Sequence, residues 1–201
     1  MRNIGPKTRL ARRIGQALRD KDTKYLVKRN YPPGMHGQAR RRLSEYAVSM
    51  LEKQKAKWTY DVSERQFRRY VAESIRKKQL TSHLLFKLLE LRLDNVVYRL
   101  GFAPSRAAAR QLVSHGFINV NSKKVNCPSY QVRAGDEISV VENKKNTNYV
   151  KELSTRLKNY KTLEWLSLDA AALKGKVLSL PTLENTGSTL QMDLIIEHYS
   201  R

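Results

Sequence analysis

Arg106, Arg110 and Ser114 recur every four residues, so on a helix they share one face. A guanidinium fork grips a phosphate through two parallel hydrogen bonds, which suits an anionic partner. Gln111 adds an amide, and His115 closes the run. Asn119 and Asn121 then alternate with Ile118 and Val120, as on a strand with one wet face. Asparagine amides donate and accept, so they reach 2′-hydroxyls and base edges. Lys123 and Lys124 extend the surface at the following turn. Cations, amides and a hydroxyl in this mixture are suited to folded RNA.

Such groups must be held by ordered elements, and the flanking residues supply them. Ser105 stands where a helix N-cap should, and Gly116 where the helix should end. Ala108, Ala109, Leu112 and Val113 form the opposite, packing face. Asp94 is read as the cap of a preceding short helix that stops at Gly101. Strand patterns follow at 117–121, near 124–126 and at 137–141, joined by the turns "NSKK" and "RAGDE". The result is an α-then-β unit of about fifty residues, near the lower limit of domain size.

Before it the pattern is helical. Ser44 caps "EYAVSMLEKQKAKW", and Ser63 with Gln66 has capping-box spacing. Phe67, Tyr70, Val71 and Ile75 then form an apolar stripe, and Thr81 or Ser82 opens a helix buried through Leu84, Leu85, Leu88 and Leu89. Residues 1–42, with Gly5, Pro6, Gly15 and "YPPGMHGQARRR", read as an extended or irregular arm that orders on a partner. Residues 147–173 read as helical around Trp165. The apolar end (Leu190, Met192, Leu194, Ile195, Ile196) needs a covering face, for which the helical part is nearest. The expected architecture is therefore α+β. It has a basic arm at 1–42, a mainly helical domain at 43–90, an inserted α-then-β module at 91–145, and a segment at 146–201 that completes the helical domain.

The charge balance agrees with the candidate surface. The net charge is +21, and such self-repulsion calls for a polyanionic partner. By segment it is +10 over 1–45, +5 over 46–90, +7 over 91–160 and −1 over 161–201. The first three quarters should thus face the polyanion. The candidate RNA contacts there are Arg2, Lys7, Arg9, Arg12 and Arg13 in the arm, with Arg40, Arg41 and Arg42 at its end. Lys53, Lys55, Lys57, Arg65, Arg68 and Arg69 follow in the helical part. Arg92, Ser105, Arg106, Arg110, Gln111, Ser114, His115, Asn119, Asn121, Lys123 and Lys124 complete the set.

Other chemistries find little support. His36, His83, His115 and His198 make no i, i+4 metal pair, and no Gly-rich phosphate loop is present. Cys127 is the one cysteine, which excludes an internal disulfide framework and a multi-cysteine zinc site. No pattern for reading the DNA major groove occurs, and no stretch approaches a membrane span. The N-terminus lacks a signal-peptide apolar run, and Gly5 and Pro6 argue against a transit helix. A soluble, cytosolic protein is expected.

The segment 92–141 resembles the S-four RNA-binding domain. "PPGMHG" at 32–37, "EKQKAKWTYDVSERQFRRY" at 52–70, "LRLDNVVYRLGFAPSRAAARQLVSHGFINVN" at 91–121 and "SYQVRAGDEI" at 129–138 extend the likeness. They resemble the S-four family of small-subunit ribosomal proteins, of bacterial or plastid type, from "GPK" at 5–7 to "IIEHYSR" at 195–201. The resemblance implies a single-copy structural constituent of the small subunit that is not an enzyme. It implies primary binding of small-subunit rRNA at a junction in the 5′ domain, and nucleation of the subunit body. It implies contact with ribosomal protein S-five, bearing on translational accuracy, and a place near ribosomal protein S-three and the path by which mRNA enters. Location would be on cytoplasmic ribosomes, or in the stroma for a plastid source, with no membrane partner. Some members hold zinc through cysteines in the arm. This chain has none before Cys127, so no zinc or other cofactor is expected.

Runner-up readings are an RNA-modifying or tRNA-directed enzyme that borrows the small module, and a free RNA chaperone or rescue factor. The first would need a catalytic domain of about 100–200 residues, for which the assigned segments leave no room.

Overall fold

Three serines start helices as their spacing predicts. Ser44, Ser63 and Ser105 each accept a hydrogen bond through Oγ from the backbone N–H three residues on, at 3.3, 3.4 and 3.3 Å. Each bond satisfies an N–H that the first helical turn leaves without an internal partner. The computed structural model describes residues 5–39, 42–77, 80–157 and 160–200. Its helices, in chain order, are α1 (Lys7–Ile14), α2 (Asp20–Lys28), α3 (Glu45–Thr59), α4 (Glu64–Arg76), α5 (Thr81–Glu90), α6 (Leu93–Arg99), α7 (Arg106–Ser114), α8 (Asn148–Leu157), α9 (Leu183–Thr186) and α10 (Met192–Ser200). The strands are β1 (Ile118–Val120), β2 (Lys123–Lys124), β3 (Glu137–Val140), β4 (Leu166–Asp169) and β5 (Lys174–Val177). The fold is α+β, as expected. The chain divides into two units, one of residues 1–85 with 189–201 and one of residues 86–188.

The first unit is helical. Phe67, Tyr70 and Val71 of α4 are buried, as are Ala56 of α3 and Tyr60 and Val62 just after it. Ile75 departs from the predicted stripe and is exposed. The apolar C-terminal segment forms α10 and packs on α3, burying Met192 and Ile195. Gln191 N–H donates to Glu52 Oε1 at 2.9 Å, and Lys55 Nζ donates to the Thr189 carbonyl at 2.9 Å.

The arm differs from its expectation, because its described residues form α1 and α2. Ala11 is fully buried, Lys7 Nζ lies 2.7 Å from Asp61 Oδ1, and Thr8 Oγ1 donates to Asp22 Oδ1 at 2.7 Å. Arg12 donates through Nε to the Tyr31 carbonyl at 3.1 Å and lies 4.9 Å over the Tyr31 ring. These bonds join distant residues, so local turn signals did not reveal them.

In the second unit α6, α7 and α8 share one core with an antiparallel sheet of order β2-β1-β3-β5-β4. Trp165, Phe102, Leu93, Leu100, Ile118 and Ile138 are buried there. The expectation of helix over 147–173 holds only for α8. Leu166–Asp169 and Lys174–Val177 form a hairpin that adds two strands to the sheet. Asp169 Oδ1 accepts from the N–H groups of Ala171 and Ala172, both at 3.0 Å, which turns the alanines out of a helix. Residues 146–188 therefore pack with the inserted module, and it is 189–201 that rejoin the helical unit.

Candidate nucleic-acid interface

The polar face of α7 rests on a buried polar network. Ala109 and Val113 anchor the helix from below, and Gln111, Ser114 and His115 are exposed. Arg106 Nε donates to Asn95 Oδ1 at 2.7 Å, and its guanidinium lies 4.6 Å over the Tyr98 ring. Arg110 Nη1 stands 3.7 Å from Asp94 Oδ2. Asp94 and Asn95 sit in the first turn of α6, both buried. Asp94 is inside the helix rather than at its cap, and its Oδ1 accepts from the Asn95 N–H at 2.9 Å.

Arg92 corrects its expected role. It is 1% exposed, and it donates through Nε and Nη2 to both oxygens of Asp94 at 3.0 and 2.6 Å. A guanidinium spent this way inside the core is a structural cation and not a phosphate contact. Ser105 is likewise occupied as the α7 cap.

The hairpin beside α7 places the remaining candidates. Asn121 and Ser122 both have positive φ, +48° and +64°, in a two-residue turn between Val120 and Lys123. Asparagine tolerates that conformation well. Its amide is also engaged: Nδ2 donates to Asp136 Oδ1 at 2.8 Å, and Oδ1 accepts from the Glu137 N–H at 2.9 Å. Asn121 therefore ties two turns together, whereas Asn119 lies half-buried within β1. Lys123 and Lys124 are exposed. Gly116 ends α7 at φ +66°, and a Cβ there would fall 2.3 Å from Lys124 Cε, so the lysine stem lies across it. In this unit, then, Arg106, Arg110, Gln111, Ser114, His115, Lys123 and Lys124 line the α7 and β2 surface.

The helical unit sorts its cations sharply. Lys53 and Lys57 both bond Glu64, at 3.2 and 2.7 Å, and Lys55 bonds Glu52 at 3.2 Å. These three side chains are largely buried and already paired, which argues against the expected RNA contacts: Lys53 and Lys57 tie α3 to Glu64 of α4, and Lys55 pairs within α3 and reaches the Thr189 carbonyl. Burial pushes the Glu64 carboxyl up, but hydrogen bonds from Lys57, Tyr199 and Lys53 override it and hold the group down at about 2. Tyr199 is pushed above its ordinary value by burial and by the Glu64 carboxylate it donates to. Arg9 and Arg13 of α1, Arg42, and Arg65, Arg68 and Arg69 of α4 are exposed. Arg2, Arg40 and Arg41 lie outside the described residues.

Sequence reasoning missed Glu90 and Asn95, which support the α7 face. A signal was present. Glu90, Arg92, Asp94, Asn95 and Arg99 stand close together in the otherwise largely apolar run "LLELRLDNVVYRL", where polar groups need buried partners. Among the described residues, no group of three or more His, Cys, Asp or Glu could hold a metal ion. No helix among them is long and apolar enough to cross a membrane.

Two family profiles match the chain: "Ribosomal protein S4/S9 N-terminal domain" over residues 2–90 and "S4 domain" over residues 91–138. A protein of Roseiflexus named "Small ribosomal subunit protein uS4" is 48% identical over 201 residues, covering 98% of each chain. Its namesake in Thermus thermophilus is 49% identical, covering 100% of this chain and 99% of its own. That of Parabacteroides distasonis is 46% identical, with the same coverage.

Proposed function

Because the chain belongs to the uS4 family of small ribosomal subunit proteins, we propose that it is a structural, non-enzymatic constituent of that subunit in the cytoplasm. It binds small-subunit rRNA as a primary binder at a junction of the 5′ domain and nucleates assembly of the subunit body. The observation that carries the reading is the α7 face, where two arginines are steadied by buried Asp94 and Asn95 beside exposed Gln111, Ser114 and His115. Preorganised guanidinium groups lose little freedom on meeting phosphate. Exposed Arg9, Arg13, Arg65, Arg68 and Arg69 supply further phosphate contacts from the helical unit.

The finer proposals follow the family resemblance. The protein contacts ribosomal protein S-five and so influences accuracy, and it lies near ribosomal protein S-three and the incoming mRNA. The arm is held without zinc. The Lys7–Asp61 and Thr8–Asp22 bonds and the 32–37 turn, closed by Gly37 N–H to the Gly34 carbonyl at 3.1 Å, support that reading.

The test is binding of the purified chain to a transcript of the 5′ domain and to an unrelated folded RNA of equal length, across a salt series. Tighter binding to the 5′ domain is expected, with a log–log slope gaining roughly 0.7–0.9 per phosphate neutralised. Equal affinity for both RNAs overturns the 5′-domain assignment. In a sucrose gradient of native lysate the chain should travel with the small subunit. Residence at the top would favour a free factor.

A further inference from the structure

Glu90 is fully buried, yet it lies one side chain away from Arg106. The link is Asn95. Its Nδ2 donates to the Glu90 backbone carbonyl at 2.8 Å and to Glu90 Oε2 at 2.7 Å. The two ends of an amide are told apart by their partners. A carbonyl and a carboxylate only accept, so the nitrogen of Asn95 must face Glu90. Its oxygen is thereby turned to Arg106 Nε, 2.7 Å away. On the other side Arg99 holds the Glu90 carboxylate, with Nη2–Oε1 at 2.8 Å and Nε–Oε2 at 3.2 Å. This charge keeps Glu90 an acceptor.

We infer that Glu90 is a positioning residue for RNA binding: through the amide of Asn95 it sets where the Arg106 guanidinium stands. The inference rests on the reading of the α7 face as an rRNA surface. A glutamine at 90 would have nearly the same shape but could offer its own N–H₂ to Asn95. The backbone carbonyl of residue 90 would still take one Asn95 N–H, but the other N–H would face a donor, and the amide would be pushed off its place against Arg106. The Tyr98 ring would still lie beneath the guanidinium, but its in-plane direction would be lost.

The test is a cycle of four full-length proteins: wild type, Glu90→Gln, Arg106→Gln and the double variant. Affinity for the 5′-domain transcript is measured across salt, with the folded fraction of each protein measured separately. Glu90→Gln is expected to weaken binding roughly tenfold, the scale of a lost hydrogen bond to a charged group. Its salt slope should fall by roughly 0.7–0.9, as for one phosphate contact fewer. In the Arg106→Gln background the same change should cost nothing further. Losses that multiply in the double variant would show that Glu90 acts on the fold alone, and overturn the inference. Unchanged affinity in Glu90→Gln beside weakened Arg106→Gln would overturn it too, while leaving the RNA face in place. Unchanged affinity in Arg106→Gln would remove the face itself. Should Glu90→Gln not fold, Asn95→Leu removes the linking amide at similar volume and enters the same cycle with the same outcomes.

Discussion

Arg92 and Asp94 meet as a two-point ion pair inside the second unit, at 3.0 and 2.6 Å, with 1% and 4% of their side chains exposed. Removing Arg92 leaves the buried Asp94 carboxylate to the Asn95 N–H and the looser Arg110 contact at 3.7 Å, a poor exchange for a two-point pair. Arg92→Ala is therefore expected to lower unfolding free energy by about 3–5 kcal/mol, read from urea denaturation. Arg92→Met combined with Asp94→Leu should recover most of that loss, since an apolar pair needs no compensation. A loss below about 1 kcal/mol in the single variant would mean that the pair is hydrated.

The helical unit should separate binding from stability. Arg9→Ala with Arg13→Ala removes two exposed charges one turn apart on α1. The salt slope for rRNA binding should fall by roughly 1.5, as for two phosphate contacts, and the melting temperature should hold. Lys53→Ala with Lys57→Ala should do the reverse, because both lysines already serve Glu64. A lysine pair that lowered the slope would return α3 to the RNA surface.

Glu64 predicts an acid-dependent loss. Its folded value, about 2, lies below the ordinary 4.5. A depressed carboxyl stabilises the fold above the unfolded value, and that share disappears as pH falls from about 4.5 toward 2. Wild type should thus exceed Glu64→Gln in stability at pH 6 and match it near pH 2. An advantage constant over that range in denaturant titrations would contradict the network of Lys53, Lys57 and Tyr199.

Gly175 tests the added hairpin. A Cβ there would fall 2.5 Å from Leu100 Cδ2 of the chain just after α6. Gly175→Ala should destabilise by about 1–3 kcal/mol through overpacking. Leu100→Ala should restore part of it in the double variant, and additive losses would show that the two residues do not touch.

The amino-acid sequence alone determined the caps, the faces and the class of partner. Ser44, Ser63 and Ser105 start their helices, Ile118 and Val120 point inward, and the excess of cations marks a polyanion partner, because each depends on neighbours a few residues away or on composition. Which cations remain at the surface was decided only in three dimensions. Arg92 and Arg110 look alike in a list of basic residues. Asp94 draws the first into the core, and the second stays 30% exposed at the edge of the same carboxylate. Lys57 and Arg9 part in the same way, because Glu64 and Tyr199 are brought together from 135 positions apart. Helices α1 and α2 and the β4–β5 hairpin likewise exist because distant partners satisfy them. A charge or a short apolar run carries no label for its partner, and that pairing is a property of the folded chain.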